Sequence, residues 1–279
     1  MNKRFDVPYL GFGLGLRTCH FQDFIETKPK VDWLEIISEN FLIDGGQALH
    51  HLDFFIEHYP IIAHGVSLSI GSVDPLDMIY LKKLRTLLDK INAPWFSDHI
   101  CWTKIHGRNL HNLMPLPYTE STINFVSEKI KQVQDYIQRP FIFENVSSYV
   151  EFKQSTMPEW EFVRKVSEKA DCGILLDINN IYVSGFNHNF DPKQYINNIP
   201  KERVLQFHIA GHKDKGNYIL DTHDNEIRDE VWDLYRYAKS QFGEVSVLLE
   251  RDDNIPELNT LLDELNQAKK IYEEHPKTT

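Results

Sequence analysis

The chain has 279 residues, 42% of them hydrophobic and 12% aromatic, which is enough to bury a substantial core and too apolar for a disordered chain. Its formal charge of −11 argues against duplex DNA or an anionic membrane as a partner, because either would be repelled over most of the surface, and is compatible with bound cations. Three widely spaced cysteines, Cys19, Cys101 and Cys172, form no CxxC and indicate neither a zinc knuckle nor a disulfide framework.

The opening "MNKRFDVPYLGFGLGLR" lacks a sustained apolar signal-peptide core, and no later stretch reaches the ~20 apolar residues of a membrane span. The expectation is a cytoplasmic protein forming a single domain over 1–279. Short apolar, β-rich runs recur along it: 11–17, 31–37, 61–68, 94–100, 141–146, 173–179, 204–210 and 245–251. Several are apolar on both faces, as parallel strands covered by helices should be. Helical patterns lie between them. Ile123, Val126, Ile130, Val133 and Ile137 step by three and four and build one apolar stripe. Asp74-Pro75 and Asp191-Pro192 each read as an N-cap followed by proline at the first helical position. The last helix is expected to bury Leu258, Leu261, Leu262, Leu265 and Ile271. Eight such units predict a (β/α)8 TIM barrel; a doubly wound sheet would want a GxGxxG after the first strand, and none is present. Two connections, 102–118 and 211–224, are long enough to suggest function.

In such a barrel the active site lies at the C-terminal mouth. The third strand offers His64, the fourth Asp98 and His99, the fifth Glu144 and Asn145. The sixth gives Asp177, Asn179 and Asn180, the seventh His208 and the eighth Glu250. The loop "AGHKDKGNYILDTHD" adds His212, Asp221 and His223. Taken singly, a histidine in an apolar run is a hydrogen-bonded core residue and an acid at a strand end is a helix cap. Six strands ending this way are another matter, because buried imidazoles and carboxylates around one mouth are costly without a shared positive charge. Metal ions supply that charge. With no thiolate in the set, His with Asp and Glu suits iron, manganese or zinc, and so many ligands exceed the needs of one ion. Two or three ions bridged by Glu144 or Glu250 would use them better.

The motifs "LEIISENF", "AHGVSLSIG", "SDHICW", "FENVSSY", "LLDINNIYVS", "FHIAGH", "DTH" and "LLERD", in that order, resemble those of the multinuclear non-haem iron-dependent oxidative enzymes, typified by the oxidase subunit of methanobactin biosynthesis. The resemblance covers about residue 9 to 270. It implies an xylose isomerase-like TIM barrel with two or three iron ions, mixed Fe(II) and Fe(III), and O2 as co-substrate. It also implies oxidation of a residue, often cysteine, in a ribosomally made precursor peptide, commonly with a separate protein that recognises the leader. Carried over, it makes His64, His99, Glu144, Asp177, His208, Asp221, His223 and Glu250 the metal ligands. Asn180 stands where related barrels can have histidine and would be a weaker ligand, and His212 would be substrate-facing or stand behind the ligands. The competing reading is another divalent-metal barrel, a sugar isomerase or a phosphodiesterase of the apurinic-endonuclease type. The ordered motifs fit the isomerase less well, and the charge of −11 argues against the DNA-cleaving enzyme.

Overall fold

The computed structural model describes residues 5–43 and 45–274; residues 1–4 and 275–279, the ends of the expected 1–279 domain, lie outside the described residues. Eight parallel strands close a barrel: β1 (Phe12–Gly15), β2 (Trp33–Ile37), β3 (Ile61–Gly65), β4 (Phe96–His99), β5 (Phe141–Glu144), β6 (Gly173–Asp177), β7 (Val204–Ile209) and β8 (Ser246–Leu249), with β8 pairing back to β1. Each falls inside one of the eight apolar runs. Those runs carry β-branched and aromatic residues and are buried on both faces, by helices outside and by one another inside.

Nine helices are described: α1 (Phe21–Thr27), α2 (Gln47–His58), α3 (Met78–Ile91), α4 (Glu120–Ile137), α5 (Glu159–Ala170), α6 (Ile178–His188), α7 (Pro192–Asn197), α8 (Asp229–Phe242) and α9 (Leu258–Glu273). The whole expected stripe of α4 is buried, and Thr119 caps the helix by accepting from the Thr122 amide at 3.2 Å. Asp191 caps α7 with Pro192 in its first turn. Asp74-Pro75 does not start a helix, which corrects the expectation. Asp77 caps α3 instead, accepting from the Ile79 and Tyr80 amides at 3.0 and 3.1 Å. The Asp74 carboxylate is taken by the amides of His106 and Gly107, at 2.9 and 3.0 Å, at a hairpin turn far along the chain. In α9, Leu262 is half-buried while the other four expected residues are buried. Among the described residues no helix is long and apolar enough to cross a membrane.

Both long connections fold into hairpins. Trp102–Ile105 pairs with Arg108–Met114, and Lys213–Asp214 with Ile219–Leu220.

Inside the barrel, alternate residues of each strand point inward. The lower inward positions are Trp33, Ile62, Trp95, Ile142, Leu175, Leu205 and Leu248, which pack with Val7 into one buried cluster. Gly13 of β1 belongs to this level because an added Cβ would stand 2.3 Å from the Trp33 ring. Each of these side chains stabilises the fold by roughly 1.5–3 kcal/mol through burial. They form the floor on which the site stands.

Candidate metal centre

Two residues further along, the same strands change character. Glu35 follows Trp33, His64 follows Ile62, Ser97 and then His99 follow Trp95, Glu144 follows Ile142, Asp177 follows Leu175 and Glu250 follows Leu248. A period of two keeps each on the inner face, directly above the floor. Register completes the ring: His99 is the Cα partner of Glu144, and Asp177 of His208. All these polar side chains are buried.

Their ligand atoms gather in three groups, within each of which the atoms lie within 4.8 Å of one another: His64, His99 and Glu144; Glu144, Asp177, His208 and Glu250; His223, Glu250 and Asp252. Glu144 belongs to the first two groups and Glu250 to the last two. In the first group the His64 and His99 Nε2 atoms stand 3.2 and 3.4 Å from Glu144 Oε2. His99 Nδ1 contacts the Gly65 carbonyl oxygen at 3.1 Å, and because a carbonyl only accepts, Nδ1 must carry the proton. When the ring is neutral, its Nε2 lone pair therefore faces a carboxylate oxygen. In the second group His208 Nδ1 is 2.9 Å from Glu250 Oε2 and 3.7 Å from Glu144 Oε1. In the third His223 Nδ1 is 3.3 Å from both Glu250 Oε2 and Asp252 Oδ2.

Glu144 Oε2, Asp177 Oδ2, His208 Nδ1 and both His223 ring nitrogens are buried and lack a hydrogen-bond partner, despite their proximity to opposite or basic atoms. Unpartnered buried polar atoms are costly, and atoms that converge without aligning to one another fit a common cation between them. Nitrogen and carboxylate oxygen with no sulfur is a donor set for iron, manganese or zinc. The residues fit the ions that the sequence implies.

The same crowding shifts how these groups hold their protons. Burial lowers the pKa of His64, as do His99 and His208 beside it. Burial also lowers His99, His208 and His223, but carboxylates outweigh it and all three end above the usual histidine value: Glu144 and Asp98 at His99, Glu35 and Glu250 at His208, Asp221 and Glu250 at His223. Burial pushes Asp177 well up, whereas Glu250, also raised by burial, is held well below the carboxylate range by His208 and His223. Cations and protons compete for the same lone pairs here.

Asp177 serves twice. Its Oδ1 accepts from the Asn180 amide at 2.6 Å and caps α6, leaving Oδ2 for the second group. Asn180 commits its Nδ2 to Asn145 O at 3.0 Å and Glu144 Oε1 at 3.4 Å, so its buried Oδ1 is the unpartnered end. Asp221 is in none of the three groups but lies 2.7 Å from His223 Nε2 and accepts from Asn179 Nδ2 at 2.8 Å. His212 does not line the mouth. Its ring is buried behind Asp221, bonded through Nδ1 to Asn179 Oδ1 at 2.8 Å and stacked on Tyr182. Asp98 alternates with the inward Ser97 and His99 and does not line the cavity; it accepts from the Leu68 and His99 amides, and burial raises it to about 7.

Two residues escaped the sequence reading. Glu35 Oε1 lies 3.1 Å from His208 Nε2, on the side of the ring away from Glu250, and Gln206 Nε2 donates to Glu35 Oε2 at 2.6 Å while also standing 2.9 Å from His208 Nε2. The signal was a lone acid inside the apolar run "WLEII". Asp252 joins the third group from two residues past Glu250, and Arg17 holds it at 2.6 Å. A spacing of two keeps side chains of an extended segment on one face, and that signal could have found it.

Above the ligands opens a cavity of about 530 Å³, lined by His64, His99, Asn180, Asp221, His223, Glu250 and Asp252 below and by polar and apolar side chains around the rim.

Fold and site together define a TIM-barrel protein with three groups of candidate metal ligands, joined by shared carboxylates, at its mouth. The family model for the RiPP precursor modification enzyme MbnB/TglH/ChrH matches residues 11–273. The chain belongs to that family, whose members modify ribosomally made peptides. It is 49% identical over 262 residues to a UPF0276 protein of Anaeromyxobacter sp. strain Fw109-5, covering 94% of this chain and 93% of that one. It is 47% identical over 263 residues to a UPF0276 protein of Caulobacter vibrioides, covering 94% of each. Among solved structures, the 3-keto-D-glucoside 4-epimerase of E. coli superposes with a TM-score of 0.60 at 14% identity, over 94% of this chain and 99% of that one. A D-tagatose 3-epimerase-like protein gives 0.61 at 13%, over 95% and 98%. These likenesses show an xylose isomerase-like fold and nothing more.

Proposed function

We propose that this protein is a multinuclear iron enzyme that uses O2 to oxidise a residue, cysteine foremost, of a ribosomally made precursor peptide. It acts as one barrel domain in the cytoplasm, with a separate protein recognising the leader. The observation that carries the reading is the sharing of Glu144 and Glu250 among three ligand groups. A single-ion isomerase centre has no use for two bridging carboxylates.

His64, His99 and Glu144 would hold one ion, Glu144, Asp177, His208 and Glu250 a second, and Glu250, His223 and Asp252 a third, with Asp221 and Asn180 beside them. Iron in these groups supplies redox capacity and Lewis acidity, which O2-dependent oxidation of a thiol-bearing residue needs. The chain's own groups prepare the site. The Gly65 carbonyl fixes the proton of His99 on Nδ1 and so frees Nε2. Arg17 and Asn179 hold Asp252 and Asp221 in place. The apolar Ile37, Leu113 and Val146 border the cavity and limit water beside the reacting residue.

Elemental analysis of anaerobically purified protein tests this. Two or more irons per chain are expected; one zinc and no iron after growth with ample iron would overturn the reading.

A further inference from the structure

The hairpin that follows β4 borders the mouth, and its construction is irregular. Lys104 pairs with Asn109 and Ile105 with Arg108, but the next pair is Trp102 with Met114, so Thr103 alone faces residues 110–113. A bulge of this kind re-aims side chains. His111, inside it, has φ 52°, a left-handed conformation that histidine and asparagine tolerate better than most residues. Asn109 Oδ1 accepts the His111 amide at 2.8 Å and holds that bend. As a result Asn109, His111, Asn112 and Leu113 all line the cavity, where strict alternation would send every second side chain away.

The neighbouring loop supplies one more group. The Tyr149 phenol oxygen accepts from the Asp221 amide at 2.8 Å and from Ser147 Oγ at 3.1 Å. Both acceptor positions are thus filled, and the phenol's own proton is left to donate. Tyr149 also lines the cavity. Apart from the residues at the ion groups, no lysine, arginine, aspartate or glutamate borders it among the described residues.

We infer that the bulge at 109–113 is the specificity element of this mouth, and that it receives an extended, uncharged stretch of peptide around the reacting residue. The inference rests on the peptide-modifying function proposed above. A peptide backbone presents a donor and an acceptor at each residue, and asparagine amides with a phenol O–H answer both without adding charge. A charged side chain seated against the bulge would find amide and phenol groups there and no opposite charge on the bulge itself.

The test uses short capped peptides with a central cysteine flanked by serine, by aspartate or by lysine, each fluorescein-labelled. They are titrated anaerobically into the iron-loaded protein and followed by anisotropy. The serine-flanked peptide should bind about tenfold more tightly than either charged one. Asn112 has its side chain exposed at the rim. Asn112→Lys should raise the aspartate-flanked peptide towards the serine one and weaken the lysine-flanked one; Asn112→Asp should do the reverse. Iron content measured on the same samples separates a damaged centre from an altered preference. Equal binding of the three peptides, or a preference that neither variant moves, overturns the inference and leaves the peptide reading standing. If none of the three binds at millimolar concentration, the peptide reading itself fails and the inference goes with it.

Discussion

On β5, Ile142 points into the floor of the barrel and Glu144, the next inward residue, points into the mouth; their exposures are 0% and 1%. Strand, direction and burial are the same, yet the energetics are opposed. Ile142 is stabilised by leaving water, as is every member of the floor. Glu144 is destabilised by leaving water, and its Oε2 finds no hydrogen bond in return. The comparison teaches that this fold is assembled by one layer and tolerates the next. The floor needs nothing from outside the chain, whereas the polar layer is the part that bound cations would stabilise.

Breaking the polar layer should give the largest effect on function and the smallest on the fold. Glu144→Gln removes a carboxylate common to two groups, so activity should be abolished and iron content should fall, with far-UV circular dichroism unchanged. His99→Ala should also abolish activity. Full turnover with native iron content in either variant would show that its strand does not supply a ligand. Breaking the floor should do the opposite. Ile142→Ala should cost about 2–5 kcal/mol in denaturant unfolding, while the protein that remains folded keeps its iron. An iron loss as large as that of Glu144→Gln would mean that the two layers are not separable.

Chelation sharpens the contrast further. Ions that bind only the folded form stabilise it, so removing them should lower the melting temperature and loosen the loop that delivers Asp221 and His223. Hydrogen exchange should be faster over 213–224 without metal and unchanged at the floor strands. Equal protection in both states would make that loop independent of the centre.

The smallest effect concerns a buried carboxyl away from the mouth. Glu159 accepts from the Tyr118 and Tyr195 phenols, each at 2.9 Å, and burial raises its pKa from 4.5 to about 7. A carboxyl raised on folding holds its proton more tightly in the folded state. Its favourable contribution is complete below pH 4.5 and is lost as the pH climbs to about 7. Glu159→Gln should therefore flatten the fall in stability across that window by at most about one proton's worth of slope. Parallel stability–pH curves for the two proteins would show that Glu159 does not titrate there.

Much of this was legible in the residues. Parallel strands buried on both faces leave continuous apolar runs, so all eight barrel strands could be read directly, and residues that end those runs in His, Asp or Glu had to face the mouth. What stayed hidden depends on contacts between distant segments. Asp74 and Asp77 are equally good caps by sequence, and only the hairpin turn at His106 and Gly107 decides which one is free for α3. Glu35 sits mid-strand, and its relation to His208 exists only once the barrel is closed. The bulge at 109–113 follows from how one hairpin is held over the mouth, which no periodicity records.

Trp95 gives the floor one more hold on the site. Its indole N–H donates to Gln206 Oε1 at 2.9 Å, and an indole can only donate. That fixes which end of the Gln206 amide faces which neighbour: the carbonyl must meet Trp95, leaving the NH2 for Glu35 and the edge of His208. A flipped amide would set a carbonyl oxygen against a carboxylate in a dry interior. The hydrogen-bond chain therefore has a direction, set at its lowest member and passed upward. A tryptophan with no access to the mouth dictates the handedness of contacts around one of its imidazoles, and replacing it with phenylalanine would leave the floor apolar but let that direction reverse.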